Sequence, residues 1–286
     1  MIFFERHKAV QCYNINLRVN SIQIGIMSIS EKLEELYLNI LMELIELPSF
    51  KNSTLIGYDL IEKQYSEHMK VIEAQISDTK EKPKKSSLEM IRLKLNASKK
   101  GIHSLGNSKD AYINRINKSI VIYACSIFDF FLTETIRLTI LEKPNLLSSE
   151  KKTIPFYELL INSKEEIIES VIDKYIHEFS YKSVSDRIKY MSDKFELDIT
   201  FQNHTKIDTF FSTEINLDDV IEIFAIRNIV IHNQGKVNKI FLDSVRNTKY
   251  KLNDNVIVDD DLIVSLINSL MITASSISRQ LIMRYH

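Results

Sequence analysis

The residues best suited to chemistry lie in one apolar stretch, Ile226 to Gly235, which contains an arginine, an amide and a histidine. On an α-helix, which turns about 100° per residue, Asn228 and His232 lie on one face and Arg227 lies roughly 100° from Asn228. A guanidinium offers a planar fork of donors that fits phosphate oxygens, and a histidine exchanges a proton near neutral pH. These side chains could therefore converge on one phosphate.

Each of these residues also has a purely structural interpretation. Arg227 has apolar neighbours on the helix, so its burial would require a carboxylate, a ligand or a subunit interface. A structural arginine paired with an acidic side chain is the first alternative. His232 lies at the predicted end of the helix, where unpaired carbonyls favour a charged imidazolium. That position suits a proton donor, but it is also typical of an ordinary helix cap.

The spacing Arg-x4-His, with Asn directly after the Arg, resembles the signature of the HEPN superfamily. These are small all-helical proteins, many of them metal-independent ribonucleases of toxin–antitoxin and antiphage systems. The upstream stretch Tyr123 to Leu132 is similar to the family's other inward-facing helix, where an acidic residue, here Asp129, lies in an apolar stripe. Asn233 and Gly235 after the histidine add to the likeness. It covers residues from about 110 to 284, the last helix by analogy of fold alone.

The resemblance implies a homodimer in which two motif helices pack antiparallel, so that both copies of Arg227, Asn228 and His232 share a cleft. The RNA 2′-hydroxyl would attack the adjacent phosphate and leave a 2′,3′-cyclic phosphate and a 5′-hydroxyl, with no metal or cofactor. His232 would act as general acid or base, and Arg227 would stabilise charge on the phosphoryl oxygens. Asn228 would orient the imidazole or the phosphate. The implied partners are RNA, with tRNA among the candidates, and an antitoxin or other defence-system protein.

A second polar stripe lies on the helix predicted from Asp110 to about Leu141. Four of its residues share an arc of about 80°: Ser126, Asp129, Thr133 and Arg137. On one interpretation Asp129 orients Arg227 or His232, while the hydroxyls of Ser126 and Thr133 bond nearby backbone or RNA. The predicted supporting residues of the site are then Asp129, Ser126 and Asn233. On the other, the stripe is an edge that faces solvent.

One position departs from a subgroup of the family. Toxins neutralised by a nucleotidyltransferase antitoxin typically have a tyrosine two residues after the histidine, and here Gln234 stands in its place. Neutralisation by modification at that site is therefore not expected. Two other classes of function stay open: a non-catalytic HEPN-like module that binds a nucleotide or a protein through Arg227, and a purely structural helical dimer.

Composition favours an all-α fold. The chain has only 5 Gly and 4 Pro in 286 residues and is 44% hydrophobic, which favours long helices around a large core. The Gly-rich phosphate-binding motifs G-x-G-x-x-G and G-x-x-x-x-G-K-[ST] do not occur. The formal charge of -1 gives no overall attraction to nucleic acid, so any RNA site must be local. Cys12 and Cys125 are too far apart for a disulfide framework, and the histidines lack the spacing of metal ligands.

The predicted organisation is an irregular arm over residues 1–27, an N-terminal helical extension over 28–100 and a HEPN-like helical domain over 101–286. No uninterrupted apolar run reaches the roughly 18 residues of a membrane span, and the first residues lack the apolar core of a signal peptide. The predicted location is therefore the cytoplasm, with no membrane partner.

Three local patterns give sharper expectations. Apolar spacing from Ser30 predicts an amphipathic helix that stops at Pro48, and a second helix follows from about Asp59 to Ile76. The stretch Tyr250 to Val258 predicts a small β-hairpin before the last helix, which should run from about Asp259 to Tyr285.

Overall fold

The fold is known from a computed structural model, which describes residues 27–78, 90, 93, 109–147, 154, 156–198, 217–246 and 248–285. These residues form eight α-helices, one 3₁₀ turn and no strand, which confirms the all-α class. The helices are α1 (Ile29–Asp78), α2 (Lys109–Glu142), α3 (Phe156–Ile161), α4 (Lys164–Ser180), α5 (Val184–Phe195), α6 (Leu217–His232), α7 (Lys239–Ser244) and α8 (Asp260–Tyr285).

The core forms around α2, the helix that the sequence predicts from Asp110 to about Leu141. Phe128, Phe131 and Leu132 are fully enclosed, because α1, α4, α5, α6 and α8 all pack against this helix. α8 crosses the same core and buries Leu266 and Leu270. An apolar surface that nearly encircles a helix requires neighbours on most sides, and α2 has them.

The prediction of two separate N-terminal helices was wrong, because α1 continues through Pro48 without a break. A proline inside a helix removes one backbone hydrogen bond and costs about 3 kcal/mol. Tertiary contacts on both sides of it oppose that cost. Leu47 is buried in the core, and the buried Lys51 forms an ion pair with Asp260 at the start of α8.

The second half of α1 is also tied to α2. The rings of Tyr58 and Tyr112 stack with centroids 4.6 Å apart, and Lys109 Nζ lies 2.7 Å from Asp59 Oδ1. α1 therefore shares one core with α2 and α8. The predicted boundary at residue 100 and most of the predicted N-terminal arm lie outside the described residues.

The segment that leads into α5 is fixed by local capping. The hydroxyl of Ser183 accepts from the backbone N–H of Asp186 at 3.1 Å, so α5 starts at Val184. One turn later Arg187 lies on the buried side of this helix. The Ser183 cap thus fixes the start of α5 and, with it, the position of the buried Arg187 on that helix.

The predicted β-hairpin is not confirmed, since residues 250–258 contain no strand. The chain turns there, but its residues then pair with the loop after α6. Val256 N donates to Gly235 O at 2.9 Å, and a single antiparallel bridge joins Lys236 to Asn255. Local sequence therefore predicted the turn correctly, whereas the pairing partner depended on tertiary packing.

Two of the described helices, α2 and α8, are long and apolar enough to cross a membrane by length and composition. More than half of each apolar window, 56% and 61%, is buried inside the fold. Core helices of globular proteins have the same length and composition, so these two helices are weak evidence for a membrane span.

Candidate anion-binding site

The motif helix, α6, ends at His232, as its sequence predicts. Asp218 and Asp219 lie in the first turn, where their charges complement the helix dipole. At the other end the carbonyl of Ile229 accepts from Asn233 N at 2.8 Å and from Gly235 N at 2.9 Å. Gly235 has φ +88°, a conformation that glycine adopts without strain. The helix therefore stops directly after His232.

α6 runs antiparallel to α2, and two contacts define the register. The rings of Phe128 and Phe224 meet edge to face with centroids 6.1 Å apart. The second contact is a hydrogen bond in which Lys118 Nζ donates to Gln234 O at 3.3 Å. Lys118 lies ten residues before Phe128, and Gln234 lies ten residues after Phe224. Equal steps in opposite directions keep the two helices in register between these contacts.

Arg227 lies between those two contacts, level with Cys125 of α2. Burial raises the pKa of the Cys125 thiol, the charge of Asp129 raises it further, and the charge of Arg227 lowers it. The thiol is thus within electrostatic range of both a carboxylate and a guanidinium. Arg227 of α6 and Asp129 of α2 therefore act on the same buried thiol with opposite charges.

The guanidinium of Arg227 is half-buried and has no carboxylate partner among the described residues. Its Nη1 donates to Asn228 Oδ1 at 3.0 Å, while its buried Nε has no acceptor. The alternative of a structural arginine paired with an acidic side chain finds no such pair in the described part of the chain. Among the described residues, the polar partner of this cation is an uncharged amide.

His232 is not brought to Arg227. It is the last residue of α6 and is exposed, and no contact joins it to Arg227 or Asn228. Five residues on an α-helix correspond to about 140° around the axis and about 7.5 Å along it. Within one chain the structure therefore joins the guanidinium and the amide, but it leaves the imidazole on another side of the helix.

Asp129 has a different partner from the one expected. Its carboxylate forms an ion pair with Arg187 of α5, a residue that is only 5% exposed, and it contacts neither Arg227 nor His232. The Arg187 guanidinium also lies 5.8 Å from the centroid of the Phe179 ring. Sequence reasoning overlooked Arg187. The available signal was an arginine on the apolar face of an amphipathic helix, where an unpaired charge is not tolerated.

The hydroxyls of the α2 stripe bond back to their own helix. Ser126 Oγ donates to Ile122 O at 2.8 Å, and Thr133 Oγ1 donates to Asp129 O at 2.8 Å. Bonds of this kind satisfy a hydroxyl locally and contribute little specificity. Ser126 is nevertheless exposed to solvent.

The other two polar residues singled out from the sequence have structural partners. Arg137 Nη1 lies 2.7 Å from Asp173 Oδ1, so neither Arg137 nor Asp129 is simply solvated. Asn233 Nδ2 donates to Lys236 O at 2.5 Å and shapes the loop after α6. Asn233 thus acts on the backbone that follows the motif.

Two further features of the described residues bear on the site. A cavity of about 510 Å³ lies at the opposite end of α6, against Lys189, Asp218 and Arg246, and contains none of the predicted site residues. Within the same part of the chain, no group of three or more His, Cys, Asp or Glu side chains is placed to hold a metal ion. The Arg227 region is therefore the candidate site.

Comparison of the chain with protein-family models, with curated proteins and with solved structures found no match.

Proposed function

We propose that this protein is a cytoplasmic, metal-independent endoribonuclease of the HEPN type, a toxin or antiphage effector. The observation that carries the proposal is the Arg227 guanidinium, which is half-buried and bonded to Asn228 without a counter-ion among the described residues. Removing a cation from water without pairing it is unfavourable, so such a position is retained where an external anion completes it. A phosphate diester matches the fork of donors that arginine offers.

A polyanion is favoured over a small anion by the segment that follows the motif. Residues 233–258, here termed the basic segment, contain five basic and two acidic residues, a net charge of +3 in a chain whose net charge is -1. All five cations are exposed, and none forms an ion pair with a described residue: Lys236, Lys239, Arg246, Lys249 and Lys251. These cations share one stretch of chain, with Arg246 against the cavity at the start of α6, and runs of exposed cations are typical of segments that bind a nucleic-acid backbone.

A second copy of the chain would supply the missing geometry. Because His232 lies about 140° around α6 from Arg227, one phosphate could contact both only if two motif helices meet. Antiparallel pairing would bring Arg227 of one protomer toward the partner's His232. An exposed apolar side chain on the motif helix itself supports such pairing, since Ile231 is 41% exposed.

The chemistry proposed is transfer of the phosphate within the RNA itself. The 2′-oxygen forms a bond to phosphorus as the bond from phosphorus to the 5′-oxygen breaks. The 2′-hydroxyl proton goes to a base, the 5′-oxygen receives a proton, and His232 performs one of these transfers. Arg227 stabilises the charge that develops on the non-bridging oxygens, and Asn228 holds the guanidinium in place.

The test is cleavage of total cellular RNA and of tRNA by the purified protein in excess EDTA. We expect cyclic phosphate and 5′-hydroxyl ends from the wild type, and losses of at least about 100-fold for Arg227→Ala and His232→Ala. Arg279→Ala and His177→Ala are matched controls, because each alters an exposed residue of the same type away from the site. Wild-type rates in either site variant would refute the assignment.

The separation of His232 from Arg227 favours one alternative, a module that binds nucleotides without catalysis. For such a protein an oligonucleotide would raise the melting temperature of the wild type but not of Arg227→Ala. No RNA turnover would occur at any protein concentration. Cyclic phosphate ends that depend on His232 would exclude this alternative.

A further inference from the structure

Helices α5, α6 and α7 border the cavity at the N-terminal end of the motif helix. Its volume is about 510 Å³, within the range of about 300–1,000 Å³ that is typical of small-ligand sites. Ile188 and Ile221 give it an apolar wall. Its lining also includes two cations and two carboxylates: Lys189, Arg246, Asp218 and Asp243. The cavity therefore suits a flat ligand with hydrogen-bond donors on one edge and acceptors on another.

The cavity lies on the face of α6 that also carries Asn228 and His232. Leu217 and Ile221 line it, and these four positions fall within an arc of about 60° around the helix. Ile221 and Asn228 are about 10 Å apart along the helix axis. That distance corresponds to roughly three nucleotides at about 3.4 Å per phosphate of one strand. A strand with one phosphate at the motif is thus long enough to place a nearby base in the cavity.

Guanine is the RNA base whose polar groups match the charges of the cavity. Its N1–H and N2–H are adjacent donors, and a carboxylate accepts two parallel hydrogen bonds. Its O6 and N7 are adjacent acceptors, which an arginine binds with two donors. No other RNA base offers both pairs. A wall with a carboxylate and a guanidinium can therefore distinguish guanine from the other bases.

Of the two carboxylates, Asp243 is the better acceptor for a base. Asp218 lies in the first turn of α6, where its charge complements the helix dipole. Asp243 is exposed to solvent on α7, and Arg246 is exposed three residues later. Both therefore meet a ligand that enters from solvent.

We propose that the cavity binds a guanine of the RNA, roughly three nucleotides from the phosphate at Arg227. Asp243 accepts the hydrogen bonds from N1–H and N2–H, and Arg246 donates to O6 and N7. Lys189 neutralises a phosphate beside this base. The inference rests on the proposed function, because it gives that ribonuclease site a base preference.

The experiment measures the dissociation constants of the full chain for three fluorescently labelled oligodeoxynucleotides. These probes lack the 2′-hydroxyl, so they cannot be cleaved. Each is a run of thymines, in which the central base is guanine, hypoxanthine or thymine. Guanine and hypoxanthine differ only by the 2-amino group. We expect the guanine probe to bind about tenfold more tightly than the hypoxanthine probe, as for one hydrogen bond to a charged group.

Asp243→Ala should reduce this preference to less than about twofold, because the acceptor is removed. Asp193→Ala is the matched control and should keep the tenfold preference, since Asp193 is an exposed aspartate of α5 that does not line the cavity. Circular dichroism shows whether each variant is folded. The comparison of guanine with hypoxanthine uses the wild type, so it decides the matter even if Asp243→Ala does not fold.

The outcomes separate this inference from the proposed function. Equal wild-type affinities for the guanine and hypoxanthine probes, with Arg227→Met binding all three more weakly, would overturn the inference alone. A guanine preference that survives in Asp243→Ala would also overturn it. Wild-type affinity of Arg227→Met for every probe would contradict the proposed function, and a preference lost in Asp243→Ala would in that case still support a guanine site.

Free guanosine monophosphate distinguishes the two sources of the base. It lacks the neighbouring phosphates, so we expect it to bind more weakly than the guanine probe. If it raises the melting temperature of the wild type but not of Asp243→Ala, while the three probes bind equally, the occupant is a free nucleotide. That result would overturn the assignment to RNA.

Discussion

The charges along α2 and the charges at the end of α6 are treated differently by the fold. On the side of α2 that faces α4 and α5, Arg187 pairs with Asp129, and Arg137 lies 2.7 Å from Asp173. At the C-terminal end of α6, Arg227 has no carboxylate among the described residues, and the exposed cations of the basic segment form no ion pair with any of them. Both regions border the same core.

The difference separates groups that hold the fold together from groups kept for a ligand. Removing one partner of a buried ion pair leaves the other charge buried and unpaired, which is strongly destabilising. The two partners of such a pair therefore depend on each other. An unpaired, partly exposed cation contributes little or nothing to stability, and proteins retain such groups where function requires them. Three predictions test this division, from the largest expected effect to the smallest.

The first prediction contrasts the two arginine sites. Asp129→Leu strands the buried Arg187, so we expect the free energy of unfolding to fall by about 3–5 kcal/mol. Arg227→Met should change it by less than about 1 kcal/mol, because no pair is broken. Urea denaturation followed by circular dichroism gives both values. A larger loss of unfolding free energy for Arg227→Met than for Asp129→Leu would contradict this difference between the two regions.

The second prediction concerns how α6 ends beside the basic segment. Gly235 has φ +88°, so Gly235→Ala should cost about 1–2 kcal/mol through backbone strain, even though a Cβ there would lie an ordinary 3.6 Å from Lys118 Nζ. Gly57 is the matched control. Its Cβ would meet open space inside α1, so Gly57→Ala should stabilise by about 0.5–1 kcal/mol. Opposite shifts in melting temperature are expected, and shifts of the same sign would contradict the account.

The third prediction probes the paired region through pH. Burial raises the pKa of Glu134 above its ordinary value, and the charge of Arg137 opposes this only in part. A carboxyl whose pKa is raised in the folded state stabilises the fold below its unfolded pKa and loses that contribution as pH rises through the folded pKa. Glu134→Gln should therefore equal or slightly exceed wild type near pH 7 and lose that advantage in acid.

That comparison is made by thermal unfolding at a series of pH values between neutral and acid. Arg137 keeps Asp173 in the variant, so no buried cation is stranded. A marked loss of stability for Glu134→Gln at pH 7 would show that the Glu134–Arg137 contact outweighs the burial of the carboxyl.

Much of the fold could be predicted because its signals are local. Local patterns predicted α2, α8 and the end of α6 at His232. The break at Pro48 was wrong for a reason that no local pattern contains. Leu47 and Lys51 hold the helix on either side of the proline, and the partner of Lys51 lies in α8.

By itself the sequence determined an all-α chain, a motif helix that ends after His232 and a guanidinium beside an amide on that helix. Only the tertiary structure decided which charge neutralises which. Asp129 and Arg187 lie 58 residues apart, and they meet because α5 packs against α2 and buries the Arg187 side chain. Periodicity and capping act over one or two turns of chain, whereas desolvation is a property of the packed whole.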